Sequence, residues 1–210
     1  MAKQQASDLG SAPRGSRTGK VATDMETDAI VGTLTHQLVA RFLDIQATLE
    51  AQGDTDVPTA LIEAGASLVA AVDGLGSHRS RVRLRVITST GQYFHRFRPP
   101  ATVTFLGTEV NVREGVVDIA WQHPTLGVFF DELKTSRRCT GPIAPDVDDQ
   151  LRRYARSGAD QLGDRFIGVR YIPLLNPAGS MLVEPRDGDV TMTPLSATPL
   201  WFTERMEGAA

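Results

Sequence analysis

The stretch Gly115-Val-Val-Asp-Ile-Ala-Trp-Gln-His-Pro-Thr-Leu-Gly-Val-Phe-Phe-Asp-Glu-Leu-Lys134 decides the fold of this chain. Two apolar runs flank the five residues His123–Gly127, whose Pro and Gly are typical of a turn. A connection of that length is common between antiparallel strands. The pattern therefore predicts a β-hairpin centred near Thr125.

The charged side chains of this hairpin fall on defined faces. In an antiparallel pair with that centre, Asp118 lies opposite Glu132. Side chains alternate faces along a strand, so Glu132 and Lys134 share one face while Asp131 points to the other. One end of the hairpin is thus expected to present Asp118, Glu132 and Lys134 together.

Two carboxylates held close together repel each other, and a hard divalent cation is their natural partner. Mg²⁺ suits such a pair because it keeps several waters and accepts one or two carboxylates. The ammonium of Lys134 would then orient an attacking water or stabilise charge on a phosphate. The alternative interpretation is that Glu132 and Lys134 are an ordinary solvated ion pair on an edge strand. Against this, Asp118 and Glu132 interrupt strands otherwise rich in Val, Ile, Phe and Trp, where unpaired charge is costly.

Two further segments carry polar residues at helical spacing. Downstream, Asp148-Asp-Gln-Leu-Arg-Arg-Tyr-Ala155 reads as the start of a helix, with Gln150 and Tyr154 four apart on one face. Upstream, Gly32-Thr-Leu-Thr-His36 places a histidine on a helix that precedes the sheet. A lone helical histidine is more often structural than a ligand, so His36 is a candidate only in combination with the hairpin.

In their order along the chain, the four segments resemble the RecB-like branch of the PD-(D/E)XK nucleases. That branch carries a helix with Gly-x-x-x-His, a strand with Gly-x-x-Asp, a strand with Asp/Glu-x-Lys-Thr, and then Gln-x-x-x-Tyr. The resemblance spans about residues 30–175. It implies an α/β fold whose mixed central sheet is flanked by the first helix and by a helix over 146–162.

The resemblance also implies roles for individual residues in a metal-dependent deoxyribonuclease. Asp118 and Glu132 would bind Mg²⁺ or Mn²⁺, with the backbone carbonyl of Leu133 and the side chain of His36 as further ligands. Lys134 would orient the attacking water. The remaining two motif residues, Gln150 and Tyr154, would line the site and contact the nucleic acid.

Composition is that of one soluble globular domain. Of 210 residues, 41% are hydrophobic and 22% are charged, and no apolar run approaches the roughly 20 residues needed to cross a bilayer. Residues 1–24 are poor in large apolar groups and are expected to be a disordered tail, which leaves 25–210 as a single domain. The single cysteine, Cys139, fits a reducing cytoplasm and cannot supply the four thiolates of the iron–sulfur cluster that many relatives hold.

Arginines concentrate before the hairpin. Between Asp73 and Glu109 there is no acidic residue, and arginines alternate with apolar residues from Arg81 to Val86. A period of two predicts a strand with one cationic face, and residues 92–98 read as its hairpin partner. This Arg-rich strand layer would track DNA phosphates, or it would be a solvated face of the sheet. Its cationic residues, and two more beyond the central hairpin, are Arg81, Arg83, Arg85, Arg137 and Arg138.

The other elements follow from periodicity and capping signals. A first helix is expected from Thr27 or Asp28 to Gly53, and a second from Pro58 to about Val72. Further strands are expected at 102–106, 109–112, 166–175, 181–184 and 189–192.

Three functions are compatible with the sequence. The first is an active nuclease. The second is a catalytically silent nuclease-fold subunit that binds DNA within a larger complex. The third is an unrelated scaffold whose carboxylates form surface pairs. The expected partners are DNA and either another protein or a second copy of the chain, with no membrane.

Overall fold

The computed structural model describes residues 23–52, 57–136, 141–186 and 188–195. Arg137, Arg138 and Cys139 lie outside the described residues, as do the predicted tail up to residue 22 and the predicted end of the first helix at Gly53.

A six-stranded mixed sheet forms the centre of the fold. Its strands run in sequence order across the sheet, and only β3 and β4 are parallel. A helix, α4, makes the crossover between these two strands. The strands are β1 (Thr104–Val112), β2 (Gly115–His123), β3 (Gly127–Lys134), β4 (Phe166–Pro173), β5 (Met181–Arg186) and β6 (Asp189–Pro194).

Helices cover both faces of the sheet. One face packs against α1 (Asp24–Gln52) and α3 (Arg79–Arg96), and the other packs against α4 (Pro145–Leu162). A third apolar cluster joins α1, α2 (Val57–Ala70) and α3 away from the sheet. The predicted mixed sheet flanked by helices is confirmed. No helix in the described part of the chain has the length and apolar character that a membrane span requires.

The first helix starts earlier than predicted. A reciprocal cap explains this, because the amide of Thr23 donates to Oε2 of Glu26 at 2.6 Å while the amide of Glu26 donates to Oγ1 of Thr23 at 3.2 Å. Such a capping box satisfies two amides that the first helical turn leaves without partners. The helix therefore begins at Asp24 rather than at Thr27 or Asp28.

The predicted hairpin is confirmed in position and register. Ile119 pairs with Asp131 and His123 with Gly127, which centres the pair on Thr125. The connection, 124–126, is shorter than expected because His123 and Gly127 belong to the strands. The buried imidazole of His123 closes the turn, since its Nδ1 accepts hydrogen bonds from the amides of Thr125 and Leu126 at 3.2 and 3.1 Å. Burial lowers the pKa of His123, which favours this neutral, accepting form.

The predicted Arg-rich strand layer is wrong. Residues 79–96 form the helix α3, and its buried positions recur at helical spacing: Val82, Val86, Ser89, Thr90 and Tyr93. The alternation from Arg81 to Val86 covers only six residues, too short a window to distinguish the two periods. Arginine is also a good helix former. Residues 92–98 accordingly belong to the end of this helix and the turn after it, not to a second strand.

The two short strands expected at 102–106 and 109–112 are one edge strand, β1. A register shift between Phe105 and Gly107 and a left-handed backbone at Glu109 (φ 48°) interrupt it. Glu109 lies between the paired positions Thr108 and Val110, across from Asp118.

Candidate active site

The candidate site lies where β2 and β3 separate, at the end of the sheet between the two helical layers. The last backbone pair of the hairpin is Ile119 with Asp131. Two residues beyond Asp131, the amide of Leu133 donates to Oδ2 of Asp118 at 2.7 Å. The Asp118 side chain, rather than a backbone carbonyl of β2, is therefore the acceptor at this position. Asp118 is thereby held across from Glu132, as the sequence predicts.

Glu132 is buried and only half satisfied. Its side chain is 3% exposed, its Oε1 accepts a hydrogen bond from Nζ of Lys134 at 2.5 Å, and its Oε2 has no partner among the residues that the structure describes. Burial first, and then the negative charge of Asp118, raise the pKa of Glu132 from 4.5 to about 7, against the opposing effects of Lys134 and His36. The charge of Asp118 is therefore close enough to disfavour the ionisation of Glu132. Because β3 is a central strand, the interpretation of Glu132 and Lys134 as a solvated edge pair is wrong.

A chain of hydrogen bonds fixes Lys134 from the side of α4. Its Nζ donates to Oε1 of Gln150 at 3.0 Å, and Nε2 of Gln150 donates to the hydroxyl of Tyr154 at 2.9 Å. The Tyr154 hydroxyl in turn donates to the carbonyl of Val116 at 2.7 Å. Burial alone would lower the pKa of Lys134, but the charge and hydrogen bond of Glu132 raise it overall, so the ammonium stays charged. Gln150 and Tyr154 thus hold Lys134, and their predicted contact with nucleic acid stays a prediction.

His36 approaches from the opposite side, on α1. Its Nδ1 lies 3.2 Å from Oδ1 of Asp118. Burial would lower the pKa of His36, yet the hydrogen bond and charge of Asp118, helped by the charge of Glu132, raise it overall. The ring is therefore biased toward the imidazolium form, paired with Asp118. Only Nε2 remains for a cation, and only when the ring is neutral.

Two motif glycines make room for residues of other motifs. A Cβ on Gly32 would lie 3.1 Å from Oγ1 of Thr135, so the glycine lets α1 approach the end of β3. A Cβ on Gly115 would lie 2.8 Å from Cε1 of Tyr154, and the φ of Gly115 is +150°. The two glycines therefore allow close contact between the motif segments, in addition to the hydrogen bonds that join them.

Two cavities adjoin these side chains. A groove of about 610 Å³ runs between α1 and the end of β3, and His36 and Lys134 line it. A smaller cavity of about 20 Å³ borders His36, Glu109, Asp118 and Leu133. The smaller space is enough for one water molecule.

The donor set can be tested against the predicted divalent cation. Within residues 23–52, 57–136, 141–186 and 188–195, no three His, Cys, Asp or Glu side chains are arranged as a ready-made metal site. Two carboxylates are nevertheless sufficient for Mg²⁺ with its waters. The buried, partnerless Oε2 of Glu132 beside Asp118 fits that requirement, because a buried anionic oxygen is costly until a cation or donor reaches it.

The arginines predicted to share one strand face lie on different sides of the helix α3. Arg81 pairs with Asp24 at 2.7 Å and Arg85 with Asp28 at 2.5 Å, so both tie α3 to α1. Arg83 is exposed on another side of the helix. The premise of a single cationic strand face is wrong, and a DNA contact by any of the three arginines stays a prediction.

Sequence reasoning missed an ion pair on the face of β3 opposite Glu132. Asp131 points away from Glu132, as predicted, but its partner Arg170 on β4 was not identified. The available signal was a lone arginine in the apolar run from Phe166 to Pro173, matched by a lone aspartate in an apolar stretch of β3.

Comparison with known proteins adds no assignment to this geometry. No protein-family model matches the chain, and no curated protein matches it in sequence.

Proposed function

We propose that the protein is a metal-dependent nuclease that hydrolyses DNA phosphodiester bonds. The observation that carries the proposal is the buried Glu132 carboxylate across from Asp118, which has one oxygen on Lys134 and the other without a partner in the described part of the chain. Its resemblance to the RecB-like branch of the PD-(D/E)XK nucleases, read from the sequence motifs, supports the same activity.

When bound, Mg²⁺ or Mn²⁺ would supply positive charge that polarises the phosphate and lowers the pKa of water. Asp118 and Glu132 would hold the cation, with the carbonyl of Leu133 and Nε2 of His36 as further candidates. In this hydrolysis the oxygen of water would form the new bond to phosphorus as the bond to the leaving sugar oxygen breaks. The attacking water would lose its proton to solvent, and the leaving oxygen would take up a proton from solvent.

The chain's own residues have separable tasks in this scheme. Lys134 keeps an ammonium at the site, where it stabilises negative charge that grows on the phosphate oxygens. Its hydrogen bond to Gln150 gives Nζ a second acceptor beside Oε1 of Glu132. Gln150, itself bonded to Tyr154, would therefore help to keep Lys134 in place while Oε2 of Glu132 holds a cation.

The test is cleavage of linear, circular, single-stranded and double-stranded DNA with Mn²⁺ or Mg²⁺. The wild-type protein is expected to cleave at least one substrate and to stop when EDTA removes the metal. Asp118→Asn should abolish both cleavage and Mn²⁺ binding. Asp160→Asn is the matched control, because Asp160 is an exposed aspartate of α4 that only approaches Arg113 at 3.6 Å.

Two results would redirect the proposal. Binding of Mn²⁺ and DNA without cleavage of any substrate would favour the catalytically silent DNA-binding subunit. Absence of Mn²⁺ binding in the wild-type protein, or equal loss in the Asp118 and Asp160 variants, would reject the metal site altogether.

A further inference from the structure

The face of β3 opposite Glu132 carries a buried polar network of four side chains: Asp131, Arg170, Tyr93 and Trp121. Nε of Arg170 donates to Oδ1 of Asp131 at 2.6 Å, and a terminal nitrogen of Arg170 donates to Oδ2 at 2.7 Å. Oδ2 also accepts hydrogen bonds from the Tyr93 hydroxyl at 2.8 Å and the Trp121 indole at 3.0 Å. Asp131 is 0% exposed and Arg170 is 3% exposed.

This network joins four separate elements at one point. Asp131 is on β3, Arg170 on β4, Trp121 on β2 and Tyr93 on α3. Arg170 also donates to the carbonyl of Phe97, just past the end of α3, at 3.0 Å. Burial, followed by the charge of Asp131, raises the pKa of Tyr93 well above its ordinary value, so its hydroxyl remains a proton donor.

The apolar pattern of β3 is compatible with more than one register against β4. Phe129 and Leu133 face the α1–α3 side with Asp131, and alternation excludes a slip by one residue because it would reverse the faces. A slip by two residues keeps every side chain on its own face. Such a slip would displace Glu132 and Lys134 by about 7 Å relative to β4 and to the helix that carries Gln150. A bidentate ion pair forms in only one register, since Asp131 and Arg170 are partners in the β3–β4 ladder.

We propose that the Asp131–Arg170 pair sets the register of β3 against β4, and so positions Glu132 and Lys134 against Gln150. Both are positioning residues, because neither reaches the groove or the site side of the sheet. The positioning consequence rests on the proposed nuclease function, whereas the register itself does not. A single buried polar contact that selects one register among several is an established use of such pairs.

The test replaces the pair with apolar side chains, as Asp131→Leu with Arg170→Met. Cross-strand nuclear Overhauser contacts between Leu133 and Ile172, which are partners in the native ladder, report the register directly. Contacts from Leu133 to position 170 or to Leu174 would report a two-residue slip. Mn²⁺-dependent cleavage is measured on the same samples. Val69→Ala, in the buried α2 layer away from the sheet, is the control for general destabilisation.

The double variant is expected to unfold cooperatively but to show contacts of more than one register, with cleavage at least tenfold below the Val69→Ala control. A single native set of contacts overturns the proposal, whatever the cleavage rate. If the double variant does not fold, Arg170→Lys decides, since lysine keeps the charge but cannot form the two-point contact. It should show the same mixture of contacts in smaller proportion, and a purely native set would overturn the proposal. A wild-type protein that cleaves no DNA would reject the nuclease function while the contacts still decide the register.

Discussion

Asp131 and Glu132 are neighbours on one strand, equally buried, and opposite in how their charge is compensated. Asp131 is 0% exposed, and three side chains donate four hydrogen bonds to its two oxygens. Glu132 is 3% exposed, yet among the described residues only Lys134 donates to it and Oε2 is left without a partner. The same chemical group therefore has a complete environment on one face of β3 and an incomplete one on the other.

This is the difference expected between a carboxylate that only supports the fold and one that binds a ligand. A buried charge that is fully hydrogen-bonded has nothing left to offer a ligand. A buried carboxylate with a free oxygen, a raised pKa and a second carboxylate nearby costs folding free energy, and such costs concentrate at functional sites. We therefore expect substitutions in the Asp131 network to reduce mainly stability, and substitutions on the Glu132 face to reduce mainly activity.

The largest effect is expected from Arg170→Met, which leaves Asp131 charged and buried without its ion-pair partner. Breaking a buried pair from one side typically costs about 3–5 kcal/mol. Glu132→Gln, the comparison variant, should lose little stability or gain some at pH 8, because it removes repulsion with Asp118. Urea unfolding followed by tryptophan fluorescence measures both. Equal losses in the two variants would contradict the comparison.

Lys134→Ala should lower cleavage by about 10²–10³-fold, the usual cost of removing one group that stabilises transition-state charge. Lys134→Met keeps much of the stem without the charge and should behave similarly. Metal and DNA binding should remain nearly intact in both, since the interaction strengthens mainly in the transition state. Single-turnover cleavage at saturating metal and DNA isolates the chemical step. Near-normal rates in both variants would rule out this role for Lys134.

The pH dependence of stability should also carry the signature of Glu132. Its pKa is raised from 4.5 to about 7 on folding, so between these values the folded protein holds the extra proton. The resulting stability is complete below about pH 4.5 and is lost as pH rises through 7, by about 3 kcal/mol if the shift is fully expressed. His36, whose pKa is also raised, changes stability in the same direction at its own pKa.

The measurement is the difference in unfolding free energy between wild-type protein and Glu132→Gln from pH 5 to 8. The variant should gain on the wild type as pH rises, because it lacks the titrating carboxyl. A difference that does not vary with pH would show that Glu132 has an ordinary pKa in the folded protein.

The smallest effect concerns the arginines of α3. Arg85→Ala removes the ion pair with Asp28, whose two side chains are 13% and 32% exposed, and should cost about 1 kcal/mol or less. Arg83→Ala is the matched control on the exposed side of the helix and should change stability by less than about 0.5 kcal/mol. Urea unfolding of the two variants side by side tests this. An equal or larger loss in Arg83→Ala would contradict the assignment of Arg85 as the tie between α3 and α1.

The central hairpin could be predicted from sequence because two signals coincide there. The two apolar runs and the turn residues between them agree on a centre at Thr125. The register then placed Asp118, Glu132 and Lys134 without further information. The prediction for the α3 segment failed for the opposite reason. Six alternating residues indicated a strand, and the helical spacing of the buried positions becomes clear only over the longer range from Val82 to Tyr93.

Long-range partners were beyond reach for a physical reason. Nothing local to Asp131 indicates that its counterion is Arg170, 39 residues away, because the parallel β3–β4 pairing joins two segments that the whole of α4 separates in sequence. The contact between Gly115 and the ring of Tyr154 has the same character. Motif spacing brings such residues to attention, but the space that one leaves for another appears only in the folded chain.

The interruption of β1 has a consequence for how the protein behaves at high concentration. A regular strand at the edge of a sheet offers its unpaired amides and carbonyls to the next molecule, which is how many fibres begin. The register shift near Phe105 and the left-handed, acidic Glu109 break that row on β1. At the other edge, β6 ends on Pro194, which has no amide hydrogen to donate. Irregularities at both margins of the sheet thus discourage copies of the chain from stacking edge to edge.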